Sequence, residues 1–407
     1  MTATHGKDLR TGRSPWMSRP LRALPQSVPK RDLKADVIVV GAGISGALVA
    51  DLLTDAGLTV ILFDRRGPLL GSTPASTALL QYEIDTPLTL LTEAIGRERA
   101  ERVWRRSKLA LEALHERARH LAISADISTR DTLYLAGDLL GPEALALEAE
   151  ARRRAGFEVS LVKPSVVAGQ YGLEARAAIL GHGNVAADPR RLAAGFLRNA
   201  LTNGARLYAP VEVVGVESHS RGVTVTTDVG PVARADHLVF ATGYELPVGV
   251  PRKGHRIVST FCLATKPQPR TVPKAMPFVW EASEPYLYLR RDQDGRIICG
   301  GEDEEFADEE RRDAMLHDKV AVIRDKLGRL MPGIDTAPDY AWCGSFGASP
   351  TGTPSIGAVP GMANCSCVLG YGGNGITFSM MAAQIIRGLV TGTGDPDADL
   401  FSFRRRF

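Results

Sequence analysis

The stretch Asp36-Val37-Ile38-Val39-Val40-Gly41-Ala42-Gly43-Ile44-Ser45-Gly46-Ala47-Leu48 decides the fold. From Asp36 to Val40 it is a short, mostly apolar run rich in β-branched residues, the composition of a parallel strand buried on both faces. The run passes straight into a glycine turn. After it, Ile44, Ala47, Leu48 and Leu52 recur at helical spacing until Gly57 stops the helix, and residues 59–63 read as a second buried strand. This is one βαβ unit. Gly41 permits the tight turn, Gly43 lets the backbone approach a pyrophosphate, and Gly46 lets the helix pack closely on the strand. The helix start at Ile44 and Ser45 offers unpaired N–H donors and the positive end of a helix dipole. Asp64 ends the second strand, about 20 residues beyond Gly43, where a carboxylate accepts hydrogen bonds from adenosine ribose hydroxyls. The unit predicts a dinucleotide site and leaves FAD and NAD both open.

A chain of 407 residues, 44% hydrophobic and 23% charged, is long enough for two domains or one large interleaved unit. No segment reaches the ~20 apolar residues of a membrane span, and residues 1–34 contain no apolar run of the kind a secretion signal needs. Five cysteines at irregular spacing fit a reducing compartment, so the cytoplasm is the expected location. A net charge of +3 spread along the chain argues against a nucleic-acid partner. Pro15, Pro20, Pro25 and Pro29 among basic residues predict an irregular arm over residues 1–34, and Arg404, Arg405 and Arg406 predict a solvated terminus. The eight scattered histidines, His182 and His255 included, suggest no metal-ligand cluster and no catalytic triad.

Several later segments resemble the superfamily of D-amino-acid oxidase, glycine oxidase and sarcosine oxidase: Gly71-Ser72-Thr73-Pro74-Ala75-Ser76-Thr77-Ala78, Asp188-Pro189 with Leu192, Leu238-Val239-Phe240-Ala241-Thr242-Gly243, Pro354-Ser355-Ile356-Gly357, and Gly370-Tyr371-Gly372-Gly373-Asn374-Gly375 before an apolar helix. The resemblance covers most of residues 35–390. It implies an α/β fold in which a Rossmann-like FAD-binding domain carries a second, α+β substrate domain whose antiparallel sheet roofs the flavin. The expected segments are 35–95, 183–245 and 350–407 for the FAD-binding domain, and 96–182 and 246–349 for the substrate domain. FAD, held non-covalently, is then the expected cofactor. Its contacts are Gly41, Gly43, Ile44, Ser45, Gly46 and Asp64, with Gly71, Ser72, Ser76, Thr77 and Ala78, Ala241, Thr242 and Gly243, and Gly372, Gly373, Asn374, Gly375, Ile376 and Thr377. Arg65, Arg66, Val211 and Gly344 complete the set. In the last glycine loop, bare backbone at a helix start can face a flavin carbonyl that gains charge on reduction.

Between the cofactor segments, Val103, Leu109, Leu114 and Leu121 mark an amphipathic helix followed by a strand near Leu133–Ala136. Residues 256–264, 286–290 and 296–300 read as strands, the last two joined by a hairpin at Asp292-Gln293-Asp294-Gly295. Tyr286, Tyr288 and Arg290 alternate and so share a strand face. With Tyr82, Phe261, Glu302 and Phe346 they are the substrate-facing candidates.

The resemblance implies hydride transfer from a carbon bearing nitrogen, followed by hydrolysis of the imine, with an amine or amino-acid derivative as substrate and oxygen as the expected acceptor. No catalytic residue is assigned. Two departures bear on this chemistry. Phe346 stands where amino-acid-oxidising members carry a carboxylate-gripping arginine, so the substrate is expected to lack a free α-carboxylate there unless Arg290 or Arg291 takes over. Ile297, Ile298 and Cys299 stand where sarcosine-oxidase-like members place a lysine over the flavin. An amine or D-amino-acid dehydrogenase passing electrons to a quinone or a protein is therefore an alternative, as is a catalytically silent flavin-binding scaffold. A nicotinamide-dependent dehydrogenase would explain the βαβ unit but not the later segments. Cys343 lies near the position at which some members attach flavin covalently; a small buried hydrophobe is the favoured role.

Overall fold

The structure, a computed structural model, describes Thr4, residues 6–252 and residues 254–405. The predicted βαβ unit is the strand Leu33–Val40, the helix Ile44–Asp55 and the strand Val60–Phe63. Along the first strand Val37 and Val39 face one apolar layer and Ile38 and Val40 the other, so both faces are buried. This strand is central to an eight-stranded sheet. Its neighbours Cys365–Leu369, Val232–Phe240, Val60–Phe63 and Arg206–Tyr208 join in parallel, with Ser355–Ala358 antiparallel at one edge. A hairpin, Val213–His219 with Gly222–Thr227, extends the sheet from Val232–Phe240. Helices Ile44–Asp55, Arg97–His120, Pro189–Thr202 and Gly375–Thr391 pack together on one face.

The second sheet has ten strands in the order Arg10–Gly12, Pro338–Ala348, Arg256–Thr265, Ile297–Glu304, Tyr288–Arg291, Phe278–Glu281, Ser128–Leu135, Ala178–Ala186 and Leu79–Leu80, with Val159–Val162 also paired to Ala178–Ala186. All pairs are antiparallel except Phe278–Glu281 with Ser128–Leu135. Alternation divides its faces. Phe261, Leu263, Val279, Leu289 and Cys343 pack outward under the helix Glu309–Leu330, against Ile323 and Leu327. The strand Ala178–Ala186 crosses residue 183 without leaving this sheet, and Leu79–Leu80, within 35–95, also belongs to it.

Three expectations are corrected here. The arm is irregular over most of its length, residues 19–32 included, but it carries two short elements and a buried anchor: Arg10–Gly12 pairs with Trp342–Gly344, and Pro15–Ser18 is a short helix that buries Trp16 to 1% exposure. Residues 1–3 and 5 lie outside the described residues. Pro15 opens the short helix, and the burial of the arm comes from distant partners. Ser14 donates to Pro74 O at 2.6 Å and the Trp16 indole N–H to Ser76 O at 2.8 Å. At the other end Arg405 is docked rather than solvated, donating to Thr353 O and Pro354 O; Arg406 lies outside the described residues. In Arg97–His120, Val103 and Leu114 are buried as the periodicity requires, but Leu109 is 56% exposed. Ala110 and Leu111 take the inward places.

Candidate active site

One elongated cavity runs between the two sheets. At its first end lies the glycine turn. Gly41 has φ +106°, a backbone only glycine adopts readily, and a Cβ there would meet the carbonyl of Ala241. The helix Ile44–Asp55 begins without a side-chain cap, and Gly43 and Ser45 line the cavity. Gly46 does not line it. A Cβ there would meet the carbonyl of Gly41, so its role is the close helix–strand approach. Asp64 accepts backbone N–H groups of Ala42, Arg66 and Gly67, each at 2.9 Å, which ties the turn to the loop after the second strand. Burial pushes its carboxyl up, and those three donors pull it down.

All the other expected cofactor contacts lie in the cavity wall. Val211 is held there by its N–H to Asp64 O at 2.9 Å. Arg65 and Arg66 stand at this end already paired, Arg65 with Glu212 and Arg66 with Glu245. Leu9 and Thr4 of the arm also line it; Thr4 accepts from Arg65 and the Lys7 carbonyl from Arg66. At the last glycine loop the helix Gly375–Thr391 has no side-chain cap. The Gly373 N–H is not free for a ligand, however: it donates to Asp85 Oδ2 at 2.7 Å.

The far end is aromatic and acidic. Tyr286, Tyr288 and Phe346, three of the substrate-facing candidates, line it with Trp280, Thr260, Cys262, Gln81, Glu83, Asp85 and Asp303. The rings of Tyr286 and Tyr288 are 5.6 Å apart between centroids, and those of Trp280 and Tyr286 6.4 Å. Tyr286 donates to Asp85 at 3.4 Å, and the hydroxyls of Tyr288 and Thr260 are 3.3 Å apart. Glu83 Oε1 accepts from Thr132 at 2.6 Å and Asn184 at 3.2 Å. Burial raises the carboxyls of Glu83 and Asp85.

Four substrate candidates lie elsewhere. Tyr82 stacks on Phe157, with ring centroids 5.6 Å apart. Phe261 faces outward beneath Lys319, on the side of the strand opposite Thr260 and Cys262. Glu302 pairs with Lys319 and Lys326, leaving the wall to Asp303. Arg290 donates to Ala187 O at 3.0 Å, with its guanidinium 5.1 Å from the centroid of Trp16. Cys343 faces the outer layer. The missed residues Gln81, Glu83 and Asp85 did carry a signal: polar residues alternating with Tyr82 and Ile84, which are buried.

The wall fits FAD. Gly41 and Gly43 are bare backbone at an uncapped helix start, and Ser72 Oγ, Gln81 Nε2, Glu83 Oε2, Asp303 Oδ1 and Asn374 Oδ1 are buried in the lining without a hydrogen-bond partner, as a polar ligand would require. A parallel sheet with its glycine turn, opening into a cavity walled by an antiparallel sheet, is the architecture of a dinucleotide-binding protein. The chain matches the family of FAD dependent oxidoreductases (DAO) over residues 36–389 and belongs to it. It is an FAD-dependent oxidoreductase.

Solved structures of similar fold include glycine oxidase from Geobacillus kaustophilus, with TM-score 0.75 and 21% identity over 92% of this chain and 100% of that one. L-proline dehydrogenase from P. horikoshii has TM-score 0.75 and 18% identity over 91% and 97%. Iminodiacetate oxidase from Chelativorans sp. BNC1 has TM-score 0.71 and 21% identity over 90% and 98%. No curated protein sequence matches. Among the described residues no helix is long and apolar enough to cross a membrane.

Proposed function

We propose that this enzyme oxidises a C–N bond in an amine or amino-acid derivative, the resulting imine hydrolysing to a carbonyl compound and an amine. The observation that carries the reading is the single cavity whose one end is a dinucleotide cradle and whose other end is a wall of Trp280, Tyr286, Tyr288 and Phe346 with carboxylates among them. Bound FAD supplies the electron sink for a hydride from the carbon next to nitrogen. In this reading the backbone around Gly41, Gly43 and Ser45 holds the pyrophosphate, Asp64 the ribose, and Gly71–Ala78 with Ala241–Gly243 and Gly372–Thr377 the rest of the cofactor. The ten-stranded sheet then roofs the flavin, and its aromatic residues orient the substrate and exclude water.

The acceptor is oxygen in the first reading. A second reading, a dehydrogenase serving a quinone or protein acceptor, is favoured by the lining: among the described residues no lysine reaches the cavity, and Ile298 packs with Trp16, Cys262 and Trp342 instead. All five cysteines are free and buried, which suits a reducing compartment such as the cytoplasm.

The test is anaerobic mixing of the FAD-loaded protein with primary and secondary amines and with amino acids, followed by oxygen. Bleaching of the flavin absorbance by at least one amine or amino acid supports the reading, and no bleaching by any of them refutes it. Fast recovery with peroxide selects the oxidase; slow recovery, but fast reduction of an added quinone or dye, selects the dehydrogenase.

A further inference from the structure

The aromatic end of the cavity carries a charge pattern that bears on its substrate. Glu83, Asp85 and Asp303 line it. Among the described residues the only cations in the lining are Arg65 and Arg66, at the opposite end and already paired with Glu212 and Glu245. The arginines nearest in sequence to the aromatic wall are turned away: Arg290 lies over Trp16, and Arg291 donates to the carbonyls of Val272 and Asp292. No guanidinium among the described residues is placed to grip a substrate carboxylate.

The three carboxylates are not equivalent. Asp85 accepts from the Gly373 N–H and the Tyr286 hydroxyl; Glu83, like Asp303, keeps one buried oxygen (Oε2) without a partner, but its other oxygen takes both Thr132 and Asn184 and the charge of the buried Arg152 acts on it. Asp303 has an oxygen, Oδ1, that is buried without a partner in the same wall as Trp280, Tyr286, Tyr288 and Phe346. Aromatic faces attract cations, and a desolvated carboxylate gains most from one.

We infer that Asp303 is the counter-charge for the substrate's ammonium group, and, resting on the oxidation reading above, that the substrate is an alkyl or arylalkyl amine without a carboxylate beside its nitrogen.

The groups around Asp303 give this a pH signature. Burial raises its carboxyl to about 7; the Thr260 hydroxyl opposes this, Asp85 and Glu302 push it further up, and Lys319 from the helix Glu309–Leu330 pulls it down. The neighbouring Cys262, Tyr286 and Tyr288 are all raised by burial and stay neutral. Asp85, the other acid facing it, is raised by burial as well. Only the ionised carboxylate attracts a cation, so cation affinity is full above about pH 7 and falls as pH drops below it, by up to about tenfold per unit.

The experiment uses probes that cannot be oxidised. The FAD-loaded protein is titrated by calorimetry with tetramethylammonium and benzyltrimethylammonium, and with benzoate, which carries the same ring and the opposite charge. A cation is expected to bind at least about tenfold tighter than benzoate at pH 8, to weaken as pH falls below 7, and to lose about tenfold or more in D303N, whose pH profile becomes flat while D303E retains it. Benzoate binding tighter than both cations, or cation affinity independent of pH in the unsubstituted enzyme, overturns the inference. So does a folded D303N that binds cations as before. If D303N does not fold, the first two measurements decide. Because none of these needs turnover, cation binding without bleaching by any amine or amino acid refutes the oxidation reading alone.

Discussion

Gly43→Ala and Gly46→Ala separate two functions of the glycine turn, the approach of a ligand to the backbone and the approach of the helix to its strand. At position 46 a Cβ would stand 2.9 Å from the Gly41 carbonyl carbon and nearer still to its oxygen, inside the 3.0 Å that real Cβ atoms keep. The obstacle is backbone. Gly41 is itself fixed, because its N–H donates to Phe63 O at 2.8 Å and the Ala241 N–H donates to the adjoining Val40 O at 2.9 Å. The helix Ile44–Asp55 must therefore shift, at a cost of about 1–3 kcal/mol for overpacking. The alanine regains about 0.5–1 kcal/mol of helix propensity, leaving a net loss of up to about 2.5 kcal/mol in the apoprotein.

At position 43 the backbone is extended, φ −80° and ψ −167°, and the added Cβ would meet only Thr73 Oγ1 at 3.1 Å. That hydroxyl accepts the Ile44 N–H at 3.0 Å and needs to yield by only a few tenths of an ångström. Apoprotein stability should change by no more than about 0.5 kcal/mol. The methyl group nevertheless enters the cavity wall where the pyrophosphate must reach backbone N–H groups. Losing one such charged hydrogen bond, about 1.5–3 kcal/mol, weakens FAD by roughly 10- to 150-fold. Urea unfolding of the two apoproteins and titration of each with FAD, followed by quenching of flavin fluorescence, make the comparison. Gly43→Ala binding FAD as tightly as the unsubstituted protein, or destabilising the apoprotein as much as Gly46→Ala, refutes the reasoning.

Trp16→Ala removes a side chain that is 1% exposed and donates to Ser76 O; it should cost about 3–5 kcal/mol of stability and speed FAD release, measured by thermal unfolding and by the fluorescence of freed flavin, and unchanged release would show that the packing of Trp16 does not support the cofactor wall. Burial depresses His237 and His255 to about 4, with Arg405 adding to the effect at His255. Such groups stay neutral in the fold while the unfolded chain takes up protons below about 6.5, so stability is full above that pH, falls between about 6.5 and 4, and should fall less steeply in His237→Gln when unfolding is followed against pH. Acid precipitation should leave all flavin in the supernatant, from the unsubstituted protein and from Cys343→Ala alike, because Cys343 faces the outer layer; flavin retained in the pellet would show a covalent link.

What was legible in the sequence was what depends on neighbours along the chain. The βαβ unit, its three glycines and Asp64 follow from local periodicity and local backbone geometry, and the structure places them as read, within a residue or so at most boundaries and three at the start of the first strand. The far wall depends instead on strand parity, and parity is vulnerable to one irregular residue. In Arg256–Thr265 the pairing register shifts between Ser259 and Phe261, and Thr260 and Cys262 face the cavity while Phe261 does not. In Ile297–Glu304 two successive residues, Gly301 and Glu302, take positive φ, which hands the wall to Asp303 rather than Glu302. An acidic residue was expected there; which one could not be read from residue types.

The misplacement of Arg290 and the misreading of the arm have one physical cause. Tyr288 and Arg290 do alternate on one face of the strand Tyr288–Arg291, whose Leu289 turns outward, so the expectation of a shared face was sound. That face is longer than the cavity. Beyond Cys262 it continues through Ala264, Ile298 and Trp342, and there Trp16 of the arm packs against it, with Arg290 over its ring at 5.1 Å and Arg19 at 5.5 Å. Nothing local to Trp16 announces this, since its partners lie at Ser76, Arg290, Ile298 and Trp342. The residue that closes the sheet's inner face thereby removes Arg290 from the substrate's reach and buries Ile298. What remains in the wall to meet a charged substrate is acidic, and the specificity of the enzyme turns on Asp303 because the arm has taken the arginine away.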